Sequence, residues 1–186
     1  MADAAAALRE DGLVGFPTET FYGLGAAALR PAAVRRIFAV KGRPENKPLL
    51  VLVDSVAMAE ALALDVPAPA RALMARYWPG ALTLVFRARS TVPPEVTAGS
   101  GTVGIRLPDH AVARALVAAL GGPVTAPSAN PAGYPPPATA VGVLRYFPDG
   151  LALVLDGGPT PGGEPSTVLD VTVDPPRVIR AGRVRV

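Results

Sequence analysis

A chain that uses arginine almost everywhere places both of its lysines, Lys41 and Lys47, in the single stretch KGRPENK, with Arg43 between them. Pro44 and Pro48 restrict the backbone there, so the cations sit on a stiff connection suited to a polyphosphate, to which lysine presents a compact point charge. The alternative is that Lys41 complements a helix C-terminus and the others are solvated. The stretch PTETFYGLG, Pro17 to Gly25, gathers two hydroxyls at Thr18 and Thr20, a carboxylate at Glu19, a phenol at Tyr22 and two glycines. In APSANPAG, Ser128 and Asn130 follow a strand pattern, where they either form a turn or hydrogen-bond a phosphate or ribose. GGEPST has small residues followed by the hydroxyls of Ser166 and Thr167, a pattern that suits an anion nest or a simple turn. Arg106 and Arg180 each end a predicted strand, and in apolar surroundings each needs an anionic partner, from a structural salt bridge or from a ligand.

Other signals exclude chemistry. With no cysteine there is no disulfide, thiolate zinc site or cysteine nucleophile, and one histidine leaves no pair for a transition metal. His110 follows Pro108 and Asp109 at a helix start, which reads as a surface position in a first helical turn. GSGTVG, Gly99 to Gly104, satisfies a dinucleotide fingerprint, but an irregular segment precedes it and a strand follows, the reverse of what that motif requires. No standard P-loop is present. The formal charge of +3 is compatible with an anionic ligand or with RNA. The apolar runs, cut by 22 prolines and 19 glycines, are too short to span a bilayer. The opening MADAAAALREDG lacks a basic segment before an apolar one, so a cytoplasmic location is expected.

The elements that must position these residues alternate. Helices are predicted over Ala4–Asp11, Pro31–Gly42, Ser55–Leu64, Ala68–Tyr77, Asp109–Gly122 and Thr139–Phe147. Strands are predicted in LVGFP, PLLVLVD, ALTLVFRA, TVGIRL, PVTA, LALVLDGG, STVLDVTV and RVIRAG. That order implies a layered α/β domain with a mixed sheet. The polar loops lie beside strand ends, where open sheets place ligands, so a shared site is expected.

In series, PTETFYGLG, KGRPENKPLLV, WPGALT, VGIRLP, PVTAPSANPAG, LDGG, GEPSTVLD and IRAG resemble the YrdC-like domain of the threonylcarbamoyl-AMP synthase family, and they span Pro17 to Gly182. The resemblance implies one domain over residues 1–186, an α/β fold with a twisted mixed sheet, flanking helices and a concave basic face. It also implies a nucleotidyltransferase that condenses L-threonine, bicarbonate and ATP to threonylcarbamoyl-AMP and pyrophosphate. That product leads to N6-threonylcarbamoyladenosine in tRNA through a downstream tRNA threonylcarbamoyl transferase. By position, Thr18, Thr20, Tyr22, Arg106 and Ser166 would serve threonine. Arg43 and Lys47, with Lys41 beside them, would take the ATP phosphates and carry the chemistry, while Thr102, Ser128, Asn130 and Arg180 would meet the nucleotide. Mg²⁺ would be held mostly by ATP oxygens and water rather than by a protein metal site, with Glu19 the motif-borne carboxylate candidate near it. Many members have a histidine where this chain has Leu52, and a serine where it has Pro136. The chain ends at Val186, which resembles the short form of the family. The alternative reading is a non-catalytic module that binds tRNA or double-stranded RNA on the same basic face.

Overall fold

Seven helices and nine strands form in the computed structural model, which describes Met1–Val186. The helices are α1 (Ala2–Arg9), α2 (Pro31–Lys41), α3 (Val56–Leu62), α4 (Ala68–Tyr77), α5 (Pro94–Thr97), α6 (Ala111–Leu120) and α7 (Ala140–Tyr146). The strands are β1 (Val14–Pro17), β2 (Tyr22–Gly25), β3 (Leu50–Leu52), β4 (Leu82–Arg87), β5 (Thr102–Arg106), β6 (Val124–Thr125), β7 (Leu153–Val154), β8 (Thr167–Asp170) and β9 (Arg177–Arg180). Local chemistry sets the limits of several. Proline at its first position opens α2, and Gly42 in the left-handed conformation closes it at φ 57°. The Ser55 and Thr139 hydroxyls cap α3 and α7 by accepting from the Met58 and Gly142 N–H groups.

The strands make a six-stranded sheet in the order β6-β3-β5-β4-β8-β9 and a three-stranded one in the order β2-β1-β7. Both are mixed: β3 and β5, β4 and β8, and β1 and β7 run parallel, while the other pairs run antiparallel. The expected α/β architecture with a mixed sheet and flanking helices is present. Its strands divide into two ladders that meet where β2 approaches β6. There the Thr125 N–H donates to the Ala26 carbonyl at 2.9 Å, and the Leu24 N–H donates to the Pro127 carbonyl at 2.8 Å.

A cluster of 32 buried apolar residues, including Leu24, Ile37, Leu84, Phe86 and Ile105, forms the main core. A second cluster of 10 joins Leu8 of α1 and Leu116 of α6 to Phe16 and Leu52. The buried charged residues, Lys41, Arg106 and Asp170, each lie at the end of a helix or strand. No helix is long and apolar enough to cross a membrane.

Beyond β9 the chain folds back across the segment that carries Ser166. The Arg183 N–H donates to the Pro165 carbonyl at 2.9 Å, and the Val184 N–H donates to the Thr167 hydroxyl at 3.0 Å. Gly182 lies so close to this segment that an added Cβ would sit 2.3 Å from the Pro165 oxygen and 2.7 Å from the Ser166 carbonyl carbon. Both neighbours are backbone and cannot swing aside. Gly182→Ala is therefore expected to cost about 2 kcal/mol of stability in urea unfolding, and unchanged stability would show that the two segments part easily.

Candidate functional site

The hydroxyls of PTET are held in a turn by their own hydrogen bonds. The Thr18 hydroxyl donates to the Phe21 carbonyl at 2.7 Å and accepts from the N–H groups of Thr20 and Phe21 at 3.2 and 3.3 Å. The two threonine oxygens are 3.0 Å apart. Either of these two hydroxyls can donate to the other. Tyr22 begins β2 with its ring fully buried. Its hydroxyl donates to the Gly158 carbonyl at 2.8 Å and accepts from the Gly157 N–H at 3.3 Å, which ties the LDGG segment to the turn. Burial pushes the Tyr22 phenol pKa up.

The SANP loop is fastened from two directions. The Ala129 N–H donates to the Tyr22 carbonyl at 2.8 Å, and Ser128 makes an isolated bridge to Gly23. From the end of α2, the buried Lys41 ammonium donates to the Ser128 and Asn130 carbonyls, while the Ala132 N–H returns a bond to the Lys41 carbonyl at 2.8 Å. Asn130 is buried, and its amide nitrogen donates to the Tyr134 carbonyl at 2.7 Å. The Arg43 guanidinium donates to the Pro48 carbonyl at 2.9 Å, which folds it back along its own loop. Burial lowers the pKa of Arg43 as well.

On the sheet, Arg106 at the end of β5 is 3% exposed and lies 3.2 Å from Glu19. No acceptor reaches its Nε. Burial lowers the Arg106 pKa, and Glu19 opposes that shift. Arg180 at the end of β9 donates from Nη2 to the Ser166 carbonyl at 2.6 Å and to the Ser166 hydroxyl at 3.1 Å. The Arg180 pKa is also lowered, by burial first and then by the nearby Arg106 charge. The Ser166 hydroxyl is 3.0 Å from that of Thr83 on β4.

These segments enclose one cavity of about 820 Å³, within the size range of small-molecule sites. Thr18, Thr20, Tyr22, Arg43, Thr102, Arg106, Ser128, Ser166 and Arg180 all line it. Lys41, Lys47 and Asn130, read from the sequence as ligand contacts, do not. Lys41 and Asn130 are turned into the loop that presents Ser128, and Lys47 is exposed on the rim segment. Glu19 also stands outside the lining, behind Arg106. No group of three His, Cys, Asp or Glu side chains is placed to hold a metal, and His110 is half-buried, near enough to Glu19 to feel its charge, and does not line the cavity.

The sequence reading missed Thr83, the one hydroxyl in the apolar run of β4, and that isolation was its available signal. It also missed the apolar wall. Pro135 and Pro136 line the cavity, so the position lacking a hydroxyl supplies a surface instead. Leu50 lines the cavity too, whereas Leu52, two residues along β3, is fully buried in the second cluster.

Comparison with known proteins identifies the family of the whole chain. The Sua5/YciO/YrdC family, described as telomere recombination, matches residues 6–182. The chain belongs to that family. It is 46% identical over 185 residues to a threonylcarbamoyl-AMP synthase of Bacillus subtilis, covering 99% of this chain and 54% of that protein. A synthase of the same name from Thiobacillus denitrificans is 36% identical over 174 residues, covering 94% of this chain and 91% of that one. The structure of P. abyssi Sua5 complexed with L-threonine superposes with a TM-score of 0.95 at 45% identity, over 97% of this chain and 53% of that one. The chain thus spans about half the length of the Bacillus and Pyrococcus relatives.

Burial lowers the Lys41 pKa to about 8, and the Arg43 charge adds to the effect. An unfolded lysine keeps its proton to about 10.4, so between these values the unfolded chain binds more protons than the folded one. Stability contributed by Lys41 therefore rises with pH through that window and is least below pH 8. In urea unfolding, the stability difference between wild type and Lys41→Met is expected to move in favour of wild type from pH 7 to 9.5. A flat difference would show that the ammonium is well solvated.

Proposed function

We propose that this chain is a threonylcarbamoyl-AMP synthase. It condenses L-threonine, bicarbonate and ATP, releases pyrophosphate, and works in the cytoplasm ahead of a transferase that modifies tRNA. The observation that carries the reading is the cavity, whose charged lining consists solely of Arg43, Arg106 and Arg180 amid hydroxyls. Such a lining suits two anionic ligands held side by side. The names of the relatives support the same reading and give none to a non-catalytic RNA-binding module.

The chemistry needs no covalent enzyme intermediate. The threonine amine bonds to the carbon of bicarbonate, water leaves, and a carbamate results. A carbamate oxygen then bonds to the α-phosphorus of ATP as the bond to pyrophosphate breaks. In this scheme Arg43 takes the triphosphate, with the exposed Lys47 on the same loop adding charge at the rim. Ser128 and Thr102 hold the nucleotide, with Asn130 and Lys41 fixing the loop behind Ser128. Arg106, Thr18, Thr20 and Ser166 receive the amino acid, with the buried Tyr22 fixing the turn beside them, and Arg180 serves the nucleotide from the Ser166 side. Catalysis is then positioning plus stabilisation of developing charge. The residues present do not form a cage for Mg²⁺, since the nearest motif carboxylate, Glu19, is paired with Arg106. The ion enters only as the counter-ion of ATP.

Pyrophosphate release from ATP and bicarbonate is expected to depend on added L-threonine; release independent of threonine, or none, would overturn the assignment. Arg43→Ala, which removes a cation from the lining, is expected to raise KM for ATP by about tenfold or more. Lys47→Ala at the exposed rim is expected to have a smaller effect, and the reverse ranking would move the triphosphate to the rim.

A further inference from the structure

In β4 a hydroxyl stands among apolar side chains: Leu82, Leu84 and Phe86 are buried in the core, and Thr83 is 1% exposed. Its methyl lies toward Gly104 of β5, where an added Cβ would come within 3.3 Å of it. A β-branched side chain is stiff at χ1, so seating the methyl there also sets the direction of the hydroxyl. That hydroxyl lies 3.0 Å from the one of Ser166, which is itself buried, and both residues line the cavity. The Ser166 hydroxyl oxygen also accepts from Arg180 Nη2 at 3.1 Å. Two hydroxyls bring two protons. One lies in the bond between them, whichever oxygen donates it, and no protein acceptor takes the other. A valine would fill the same space without a polar group to satisfy. The spare proton, buried beside a cavity, is a donor in want of an acceptor.

We infer that Thr83 is a positioning residue for the amino acid, holding Ser166 as a hydrogen-bond donor to an oxygen of that ligand. This rests on the synthase reading given above, in which Ser166 receives L-threonine. With a ligand oxygen at Ser166, the proton count leaves one order. The Ser166 proton turns to the ligand, Thr83 donates to Ser166, and Arg180 fills the second lone pair. With both lone pairs taken, Ser166 has nothing to offer an ammonium, so it reads an oxygen of the amino acid and not its nitrogen. Donation from two sides polarises the Ser166 O–H, which strengthens its bond to the ligand. Removing the Thr83 hydroxyl opens one lone pair and frees the Ser166 rotor. Arg180 stays in place without Thr83, because its Nε and Nη2 donate to the Ser166 carbonyl at 3.2 and 2.6 Å.

The test is a double-mutant cycle read by calorimetry of L-threonine binding, with no turnover. Thr83→Val, close to threonine in shape, is expected to weaken binding about fivefold, and Thr83→Ser, which keeps the hydroxyl, to restore it to within about twofold of wild type. Ser166→Ala is expected to lose at least as much, and Thr83→Val added to Ser166→Ala to lose nothing further. Should the valine variant fold poorly, Thr83→Ala is read in the same cycle. Equal affinities for wild type and Thr83→Val would overturn the inference. So would a loss that serine does not restore, or one of the same size with and without the Ser166 hydroxyl, since Thr83 would then act on the cavity wall and not through Ser166. Wild type that binds no L-threonine would sink the synthase reading and this inference with it, whereas threonine binding indifferent to Thr83 would sink this inference alone.

Discussion

Peptide carbonyls turned toward the interior of an irregular loop have to find donors, and the Ser128 and Asn130 carbonyls find theirs in the Lys41 ammonium. That contact decides where much of the cavity wall can lie. Lys41 ends α2, so fixing it fixes the loop that brings Arg43 to the lining. The same clamp holds the SANP loop against β2, and through β2 it locates the turn of Thr18 and Thr20. A neutral side chain could fill the space but would leave two carbonyls short of donors, which costs more than an unmade bond on the surface. Burying the ammonium has its own cost, visible in its depressed pKa, and the carbonyl bonds offset it only where the geometry is kept. The loop is therefore held by a contact that tolerates little displacement.

At the other cationic centre the balance is left incomplete. Arg106 has a single carboxylate beside it and an orphaned Nε, and Arg180 adds like charge nearby. A protein tuned only for stability would place a second acid there or replace the pair by apolar packing. Here the sheet holds both guanidiniums through backbone position, on β5 and β9, while Glu19 restrains one of them from behind. The unsatisfied charge destabilises the empty site and is relieved by an anionic ligand. Ligand affinity and fold stability are therefore coupled at these residues, as they are wherever binding occurs only to the folded state.

Most of the frame was legible in the sequence because its signals are local. Proline at the start and glycine at the end bounded α2, and α4 spans Ala68–Tyr77 as the pattern predicts. β2 was not legible: TETFYGLG reads as a loop, since two glycines in a short stretch argue against a strand. Packing overrides that preference. A Cβ at Gly25 would come within 2.9 Å of the Phe16 ring and of Val124, so the strand can form there only with glycine. α5 is a single turn inside a segment whose prolines suggest irregular backbone. In the site, residue types pointed to the right loops, but direction of approach depends on tertiary structure. Within KGRPENK, Arg43 faces the cavity, Lys41 faces the neighbouring loop and Lys47 faces solvent, and no spacing rule separates those outcomes.

The distribution of cations bears on what the cavity is for. Of the three guanidiniums in the lining, Arg106 and Arg180 end two strands of the six-stranded sheet and lie near one another, while Arg43 comes from the loop after α2. Neutral hydroxyl residues such as Thr20, Thr102, Ser128 and Ser166 and apolar residues such as Leu50, Val85, Pro135 and Pro136 make up much of the rest of the lining. A groove that follows a nucleic-acid backbone needs repeated cations with aromatic platforms between them, and the aromatic residues in this lining are Phe21 and Tyr22, adjacent on one turn. A guanidinium pair on the sheet and a third on a loop, around one small cavity, instead suit two anions held at a fixed distance with reacting atoms between them. Positioning of that kind lowers a barrier without any nucleophile from the protein, which is consistent with a chain that has no cysteine and keeps its only histidine out of the cavity.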